Sequence, residues 1–139
     1  MSAVTLGSAD GGLLLLSDPR RGDDGELLSI TATVHTQGLR ASTRVDAHYS
    51  KCFDDLVAFL DDLVAYWRGW SGSKSYQSLE RDLELVARHD GVGHVVLAVT
   101  LRGPDSPYSW TASGEVITDP GEQMREAAAD ARSLLARAP

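Results

Sequence analysis

Cysteine and long apolar runs are scarce in this 139-residue chain. Cys52 is the only cysteine, so no intramolecular disulfide can form, and we expect a reducing compartment. The longest apolar runs, residues 13–16 and 95–99, fall far short of the roughly 20 residues that span a bilayer. Because the first basic residue is Arg20, we also expect no secretory signal peptide. These absences predict a cytoplasmic protein that has no membrane partner.

Basic residues are also fewer than acidic ones. The chain has 13 basic and 20 acidic residues, which leaves a formal net charge of −7. Such a field repels a phosphate backbone, so we do not expect nucleic acid as a partner. A basic protein partner fits this charge better.

The sequence also lacks the common motifs for metal binding and catalysis. No histidine or cysteine lies in a CxxC, HxH or HExxH spacing, and the glycine-rich stretches lack the strand–loop–helix context of a phosphate site. We therefore expect no metal, no cofactor and no catalytic residue set. The four histidines are His35, His48, His89 and His94.

What is present is a pattern of strands and helices typical of one globular domain. With 42% hydrophobic residues, residues 1–139 predict a single domain, in which residues 1–12 form a loose N-terminal segment. Alternating apolar residues predict strands. The predicted strands are residues 13–16, 26–35, 39–49, 76–89, 93–102 and 108–117. Residues 18–25 carry turn-forming residues without an apolar anchor and predict an exposed loop.

Two helices complete the pattern. Apolar residues at spacings of three and four follow Ser50, a suitable N-cap, and include Phe53, Leu60 and Trp67. The second helix is predicted to have Asp119 as its N-cap, Pro120 at its first position and Glu122 at its third, and to bury a face that is rich in alanine. The order βββα-βββα predicts an α+β fold. We expect a mostly antiparallel sheet of about six strands, with both helices packed on one face.

Two turns carry specific register predictions. A two-residue turn at Gln37-Gly38 pairs Thr36 with Leu39, which places both apolar strand faces on the same side. After Asp90-Gly91, a two-residue turn would mix the faces of the flanking strands. A loop of three or five residues, or a bulge, is therefore predicted, and it sets Leu85 opposite Leu97.

The order of short motifs resembles a known bacterial family. The motifs are Gly38-Leu39-Arg40-Ala41, Trp67-Arg68-Gly69-Trp70, Gly72, Lys74, Ser78-Leu79-Glu80, His89-Asp90, Gly93-His94-Val95, Leu101-Arg102 and Trp110-Thr111-Ala112. This order resembles the family labelled domain of unknown function 6228, over most of residues 26–135. The family implies no activity. The layout is more loosely similar to that of immunity proteins that neutralise bacterial toxins.

The tryptophans are the first candidate binding residues. Trp67, Trp70 and Trp110 form either an aromatic anchor for a partner or the packing between a helix and the sheet. Arg68, Lys74 and Glu80 flank them, as a polar pocket or as solvated ion pairs.

Two further candidates are a histidine and an acidic helix face. His94 is close in sequence to Asp90 and is either half of a general-base pair or a structural histidine. A lone reactive Cys52 beside His48 is a weaker alternative. The acidic face either attracts a basic partner or is simply a solvated surface. Its residues are Asp54, Asp55, Asp61 and Asp62.

Three functions are consistent with these observations. The first is a non-enzymatic protein-binding domain, immunity-like or regulatory. The second is a small-molecule-binding or enzymatic domain with a pocket near the three tryptophans. The third is a homodimer that pairs an exposed strand, either residues 13–16 or residues 108–117.

Overall fold

The chain forms eight strands and two helices in the order ββββα-ββββα, within the part that the structure describes. The structure is a computed structural model and describes residues 3–8, 10–104 and 109–136. The elements are β1 Val4–Ser8, β2 Gly12–Arg21, β3 Leu27–Thr36, β4 Leu39–Asp46, α1 Asp54–Ala65, β5 Ser73–Gln77, β6 Leu83–His89, β7 Val95–Arg102, β8 Thr111–Thr118 and α2 Glu122–Leu134. The α+β class is confirmed. Each half contains one strand more than the sequence predicted.

The strands form two sheets, where a single sheet of about six strands was predicted. The first sheet has the order β1-β2-β3-β4 and the second has the order β5-β6-β7-β8, and all neighbouring strands are antiparallel. The two extra strands, β1 and β5, are only five residues long. Such short strands carry too few alternating residues to stand out from their flanks.

Residues 4–8 form the strand β1, where the sequence predicted a loose segment over residues 1–12. Val4 and Leu6 are fully or almost fully buried, and β1 pairs along its whole length with β2. The predicted strand at residues 13–16 is therefore an internal strand. β2 also continues to Arg21 through a register shift after Ser17, so the exposed loop begins later than predicted.

Of the two register predictions, the first is confirmed and the second is right only in the length of its loop. Thr36 lies opposite Leu39, and Val34 lies opposite Ala41 as predicted. The loop between β6 and β7 is the longer kind, because His89 is paired with Val95. The predicted pairing of Leu85 with Leu97 is wrong, because a loop of five residues shifts the register by two and sets Leu85 opposite Val99.

The helices share one core with both sheets but do not lie together on one face of one sheet. α1 contacts β5, α2 contacts β1, and the two helices contact each other. α1 begins at Asp54 with Phe53 at its N-cap, and α2 begins at Glu122 with Gly121 at its N-cap, so neither Ser50 nor Asp119 caps a helix as predicted. The alanine-rich face predicted for α2 is buried. The face predicted for α1 is buried only in part, because Trp67 lies beyond the end of the helix and is 46% exposed. The buried residues are Leu56, Phe59, Leu60 and Leu63 on α1 and Met124, Ala127, Ala128, Ala131 and Leu134 on α2.

The sheets meet along β8 and β7. β8 contacts β1, β2 and β3, and Ile117 N donates to Gly11 O at 3.1 Å. β7 contacts β3 and β4, and Thr43 Oγ1 of β4 donates to Arg102 O at 2.9 Å. Residues 13–16, one of the two strands proposed for dimer pairing, lie between β1 and β3 and are not an edge. β8, which holds most of the other proposed strand, ends the second sheet and also contacts β1, β2 and β3. Residues 105–108, which include the start of the predicted strand 108–117, lie outside the described residues.

Neither helix is long and apolar enough to cross a membrane, judged over residues 3–8, 10–104 and 109–136.

Candidate functional site

The three tryptophans do not form one cluster. Trp67 and Trp70 lie just after α1, and the Trp70 ring packs edge-on against His89, with 5.5 Å between ring centroids. His89 pairs with the first residue of β7, whereas Trp110 precedes the residue that pairs with Arg102 at the end of β7. Eight residues of strand, at roughly 3.3 Å per residue, put Trp110 about 25 Å from the other two.

Trp67 and Arg68 do line a cleft at the end of the second sheet where β7 begins. The cleft has a volume of about 330 Å³. Its lining residues, called the tryptophan cleft below, are Trp67, Arg68, His89, Gly91, Gly93, Asp119, Pro120 and Gly121. Trp67 is 46% exposed, and the Arg68 guanidinium lies 5.0 Å from the centroid of its ring. The cleft therefore offers a cation and an accessible aromatic face.

His89 holds this cleft together by using both ring nitrogens. Nδ1 accepts a hydrogen bond from Gly91 N at 2.9 Å. Nε2 lies 3.1 Å from Trp67 O and is the donor in that contact. The imidazole ring thus ties the residues after α1 to the β6–β7 loop. Sequence reasoning missed this role, because His89 and Trp67 are distant in sequence.

His94 lies beside Asp90, but the pair builds a turn. Nδ1 of His94 is 3.0 Å from Asp90 Oδ2, and Asp90 Oδ1 accepts the backbone N–H groups of Val92 and His94. These hydrogen bonds, the one from Val92 first, hold the pKa of Asp90 below its ordinary value. A carboxylate held in this way stabilises a loop, and no described hydroxyl or thiol is bonded to His94.

Glu80 and Cys52 do not join the tryptophan cleft. Glu80 lies in the turn from Ser78 to Asp82, at the end of β5 opposite to the tryptophans. Cys52 is only 7% exposed, and its thiol donates to Leu27 O at 3.7 Å. The predicted polar pocket of Arg68, Lys74 and Glu80 is therefore not assembled. Among the described residues, no group of three potential metal ligands converges either.

The aspartates of α1 lie on its solvent side, as predicted, but cations from other elements offset much of their charge. Asp61 is paired with Arg132 of α2, and Asp62 is 2.9 Å from the amine of Lys74. Asp55 is 4.0 Å from Lys51, and both side chains are about 60% exposed. Such exposed pairs contribute roughly 0–1 kcal/mol, so an incoming cation can replace them.

Lys74 is fixed beside α1 by aromatic rings as well as by Asp62. Its amine lies 4.3 Å from the centroid of the Tyr66 ring and 5.6 Å from that of Trp70. The side chain is 22% exposed, so the charge is directed inward. Lys74 therefore does not present its charge at the open edge of β5.

A second concave surface runs between α1 and β5. Its lining residues, called the α1–β5 groove below, are Asp55, Ala58, Phe59, Asp62, Lys74, Ser75, Tyr76 and Gln77, and its volume is about 490 Å³. Burial, with the nearby charge of Asp55, raises the pKa of Tyr76 above its ordinary value, so the phenol stays neutral. Its ring centroid is 6.2 Å from that of Phe59. The groove thus combines aromatic rings with carboxylates.

Sequence reasoning missed this groove because it merged β5 with β6 into one strand. The signal that separates them is the turn sequence Ser78-Leu79-Glu80-Arg81, in which Ser78 Oγ donates to Asp82 Oδ1 and accepts from Leu83 N. Recognising that turn would have separated residues 73–77 from β6 as a strand of their own.

Two four-stranded antiparallel sheets and two helices around one core define the chain as an α+β domain. Its concave surfaces do not assemble a catalytic set from the residues described above. Residues 6–138 match the family described as a family of unknown function, DUF6228, and the chain belongs to that family. The resemblance based on the tryptophan-containing motifs is thereby confirmed. No curated protein and no solved structure matches the chain significantly.

Proposed function

We propose that this chain is a non-enzymatic protein-binding domain whose contact surface is the α1–β5 groove together with the aspartates of α1. The observation that carries the proposal is the composition of the groove. It places the carboxylates of Asp55 and Asp62 beside the rings of Phe59 and Tyr76. Charged groups at the margin of an aromatic surface are typical of protein interfaces.

Charge favours a basic partner. The chain carries a net charge of −7, which accelerates the approach of a cationic surface at low ionic strength. The ion pair of Asp55 with Lys51 is long and exposed, so the carboxylate of Asp55 remains available for exchange. A basic partner would then bind Asp55 and compete with Lys74 for Asp62 while it covers the ring of Tyr76.

The experiment is a comparison of protein capture from native lysate by variants of matched charge. One variant carries Asp55→Asn with Asp62→Asn. Its control carries Glu126→Gln with Asp130→Asn, two exposed residues of α2. We expect a saturable partner that the wild type and the control retain and the groove variant loses. Equal capture by both variants, or no saturable partner, would refute the proposal.

The tryptophan cleft supports a second candidate, the binding of a small molecule. Arg68 stacks on the half-exposed Trp67, and no described carboxylate pairs with its guanidinium. A small anionic or aromatic compound that binds here would quench Trp67 fluorescence in the wild type and not in Trp67→Phe. A compound screen in which no quenching depends on Trp67 would remove this candidate.

A further inference from the structure

The open edge of β5 has the geometry needed to accept an added strand. β5 is the terminal strand of the second sheet and pairs only with β6. The α1–β5 groove contacts four successive residues of this strand. Because successive side chains point to opposite faces, a groove that touches four in a row runs along the backbone edge.

The hydrogen-bond ladder decides which backbone groups of β5 face this groove. In an antiparallel pair, opposite residues alternate between exchanging hydrogen bonds and not exchanging them. Ser78 N donates to Leu83 O at 2.9 Å, and Tyr76 lies opposite Leu85, two residues further along each chain. The even-numbered residues therefore bond to β6. The residues whose N–H and C=O groups point away from β6 are Ser73, Ser75 and Gln77.

Those outward groups have no partner among the described residues. Proteins commonly protect an edge strand with outward charges, proline or a bulge. β5 has no proline, its register with β6 is continuous, and its single charge, on Lys74, is turned inward toward Asp62. The edge is therefore short but open for pairing.

We propose that β5 binds an extended segment of a partner protein by strand addition, and that this segment carries lysine or arginine at alternate positions. The inference rests on the proposed function and names how the partner binds. An added strand would place every second side chain on the face that Tyr76 shares with α1. Long cationic side chains fit there, because their methylene groups can cover Tyr76 while one charge reaches Asp55 and another competes with Lys74 for Asp62.

A second copy of the chain is the less favourable occupant. Each copy carries a net charge of −7, so two copies repel each other as they approach. β5 also offers only one cation, and that cation is already paired with Asp62.

The test uses a labelled synthetic peptide, acetyl-Thr-Lys-Thr-Lys-Thr-Lys-Thr-amide, and fluorescence anisotropy with the full chain. Ser75→Pro removes one outward N–H group and places a ring at the edge, while it leaves the ladder to β6 intact. Ser75→Ala is its control. We expect Ser75→Pro to weaken binding about tenfold or more and Ser75→Ala to change it less than about twofold.

Two further peptides keep the proposal falsifiable if Ser75→Pro fails to fold. One has the same composition with its three lysines adjacent, and the other has N-methyl groups on the amides along one edge. Strand addition requires both to bind more weakly than the alternating peptide. Equal binding of all three peptides by the wild type would overturn strand addition.

The outcomes separate this inference from the proposed function. If the Asp55→Asn, Asp62→Asn variant weakens binding while Ser75→Pro and the N-methylated peptide do not, the acidic groove stands and strand addition is overturned. If neither variant changes binding, both are overturned. If light scattering shows a dimer that Ser75→Pro dissolves, the edge binds a second copy and the basic segment is rejected.

Discussion

The predicted fold contained no contact between β1 and the second sheet, and Gly7→Ala tests that contact. Gly7 has a φ of +92°, and an added Cβ would lie well inside contact distance of Gly12 O and 2.5 Å from Val116 Cγ1. Gly38, in the β3–β4 turn, has a similar φ of +79° but nothing within 4 Å of its Cβ position. The two glycines therefore share the backbone penalty and differ only in crowding.

The expected magnitudes follow from that difference. A non-glycine residue at such a φ costs about 1–2 kcal/mol at either position. Overpacking adds typically about 1–3 kcal/mol at Gly7 alone, where the obstacle includes backbone. We therefore expect Gly38→Ala to lower the free energy of unfolding by about 1–2 kcal/mol and Gly7→Ala to lower it by about 2–5 kcal/mol.

Urea unfolding at fixed pH measures both values, with the slope of the transition as a check on two-state behaviour. In thermal unfolding, the extra loss at Gly7 would appear as a midpoint several degrees lower. Equal losses at the two positions would contradict the packing of β1 against β8. A loss at Gly38 alone would mean that residues 1–12 are loose in solution.

Three other substitutions test smaller features. Burial raises the pKa of Asp82, so the folded state holds that proton more tightly and stability falls as pH rises through the raised pKa. We therefore expect Asp82→Asn to raise the melting temperature at pH 7 more than at pH 4. A gain in melting temperature that grows as pH falls would contradict this. The pH dependence expected for Asp90 is the opposite, because its lowered pKa stabilises the fold at pH values above the ordinary pKa of an aspartate, and this stabilisation is lost as pH falls. We therefore expect the melting temperature of Asp90→Asn to lie below that of the wild type at pH 7, and this difference to shrink in acid. Trp70 has a buried indole N–H group without a partner among the described residues. Trp70→Phe removes this unsatisfied donor, so we expect it to change the free energy of unfolding by less than about 1 kcal/mol. Trp70→Ala also removes the packing of the ring and should lower the free energy of unfolding by about 3–5 kcal/mol.

Local patterns were sufficient for the β3–β4 hairpin and for the buried face of α2. The β3–β4 register followed from alternation on both sides of Gln37-Gly38, because one residue of slip would have moved every apolar side chain to solvent. The same requirement excluded a two-residue β6–β7 turn but did not give the partner of Leu85. The alanine-rich face of α2 followed from its helical spacing.

The candidate surfaces could not be derived in this way. Nothing near α1 in sequence indicates that Arg132 pairs with Asp61, because the two residues are 71 positions apart. Trp110 lies far from Trp67 because β7 and β8 separate them by a full strand length. The α1–β5 groove depends on which strand ends the second sheet, and the pattern of residues 73–77 alone does not contain that information.

The sequence by itself determined the class of the domain, its antiparallel hairpins, the faces that its helices bury and its acidic charge, because these depend on residues within about one element of each other. Only the tertiary structure decided that the strands divide into two sheets, that α1 and α2 contact different sheets, and that β5 keeps an open edge beside α1. The physical reason is that apolar alternation shows which side of a strand is buried but not what buries it. Which element covers that side depends on contacts between segments that are distant in the chain.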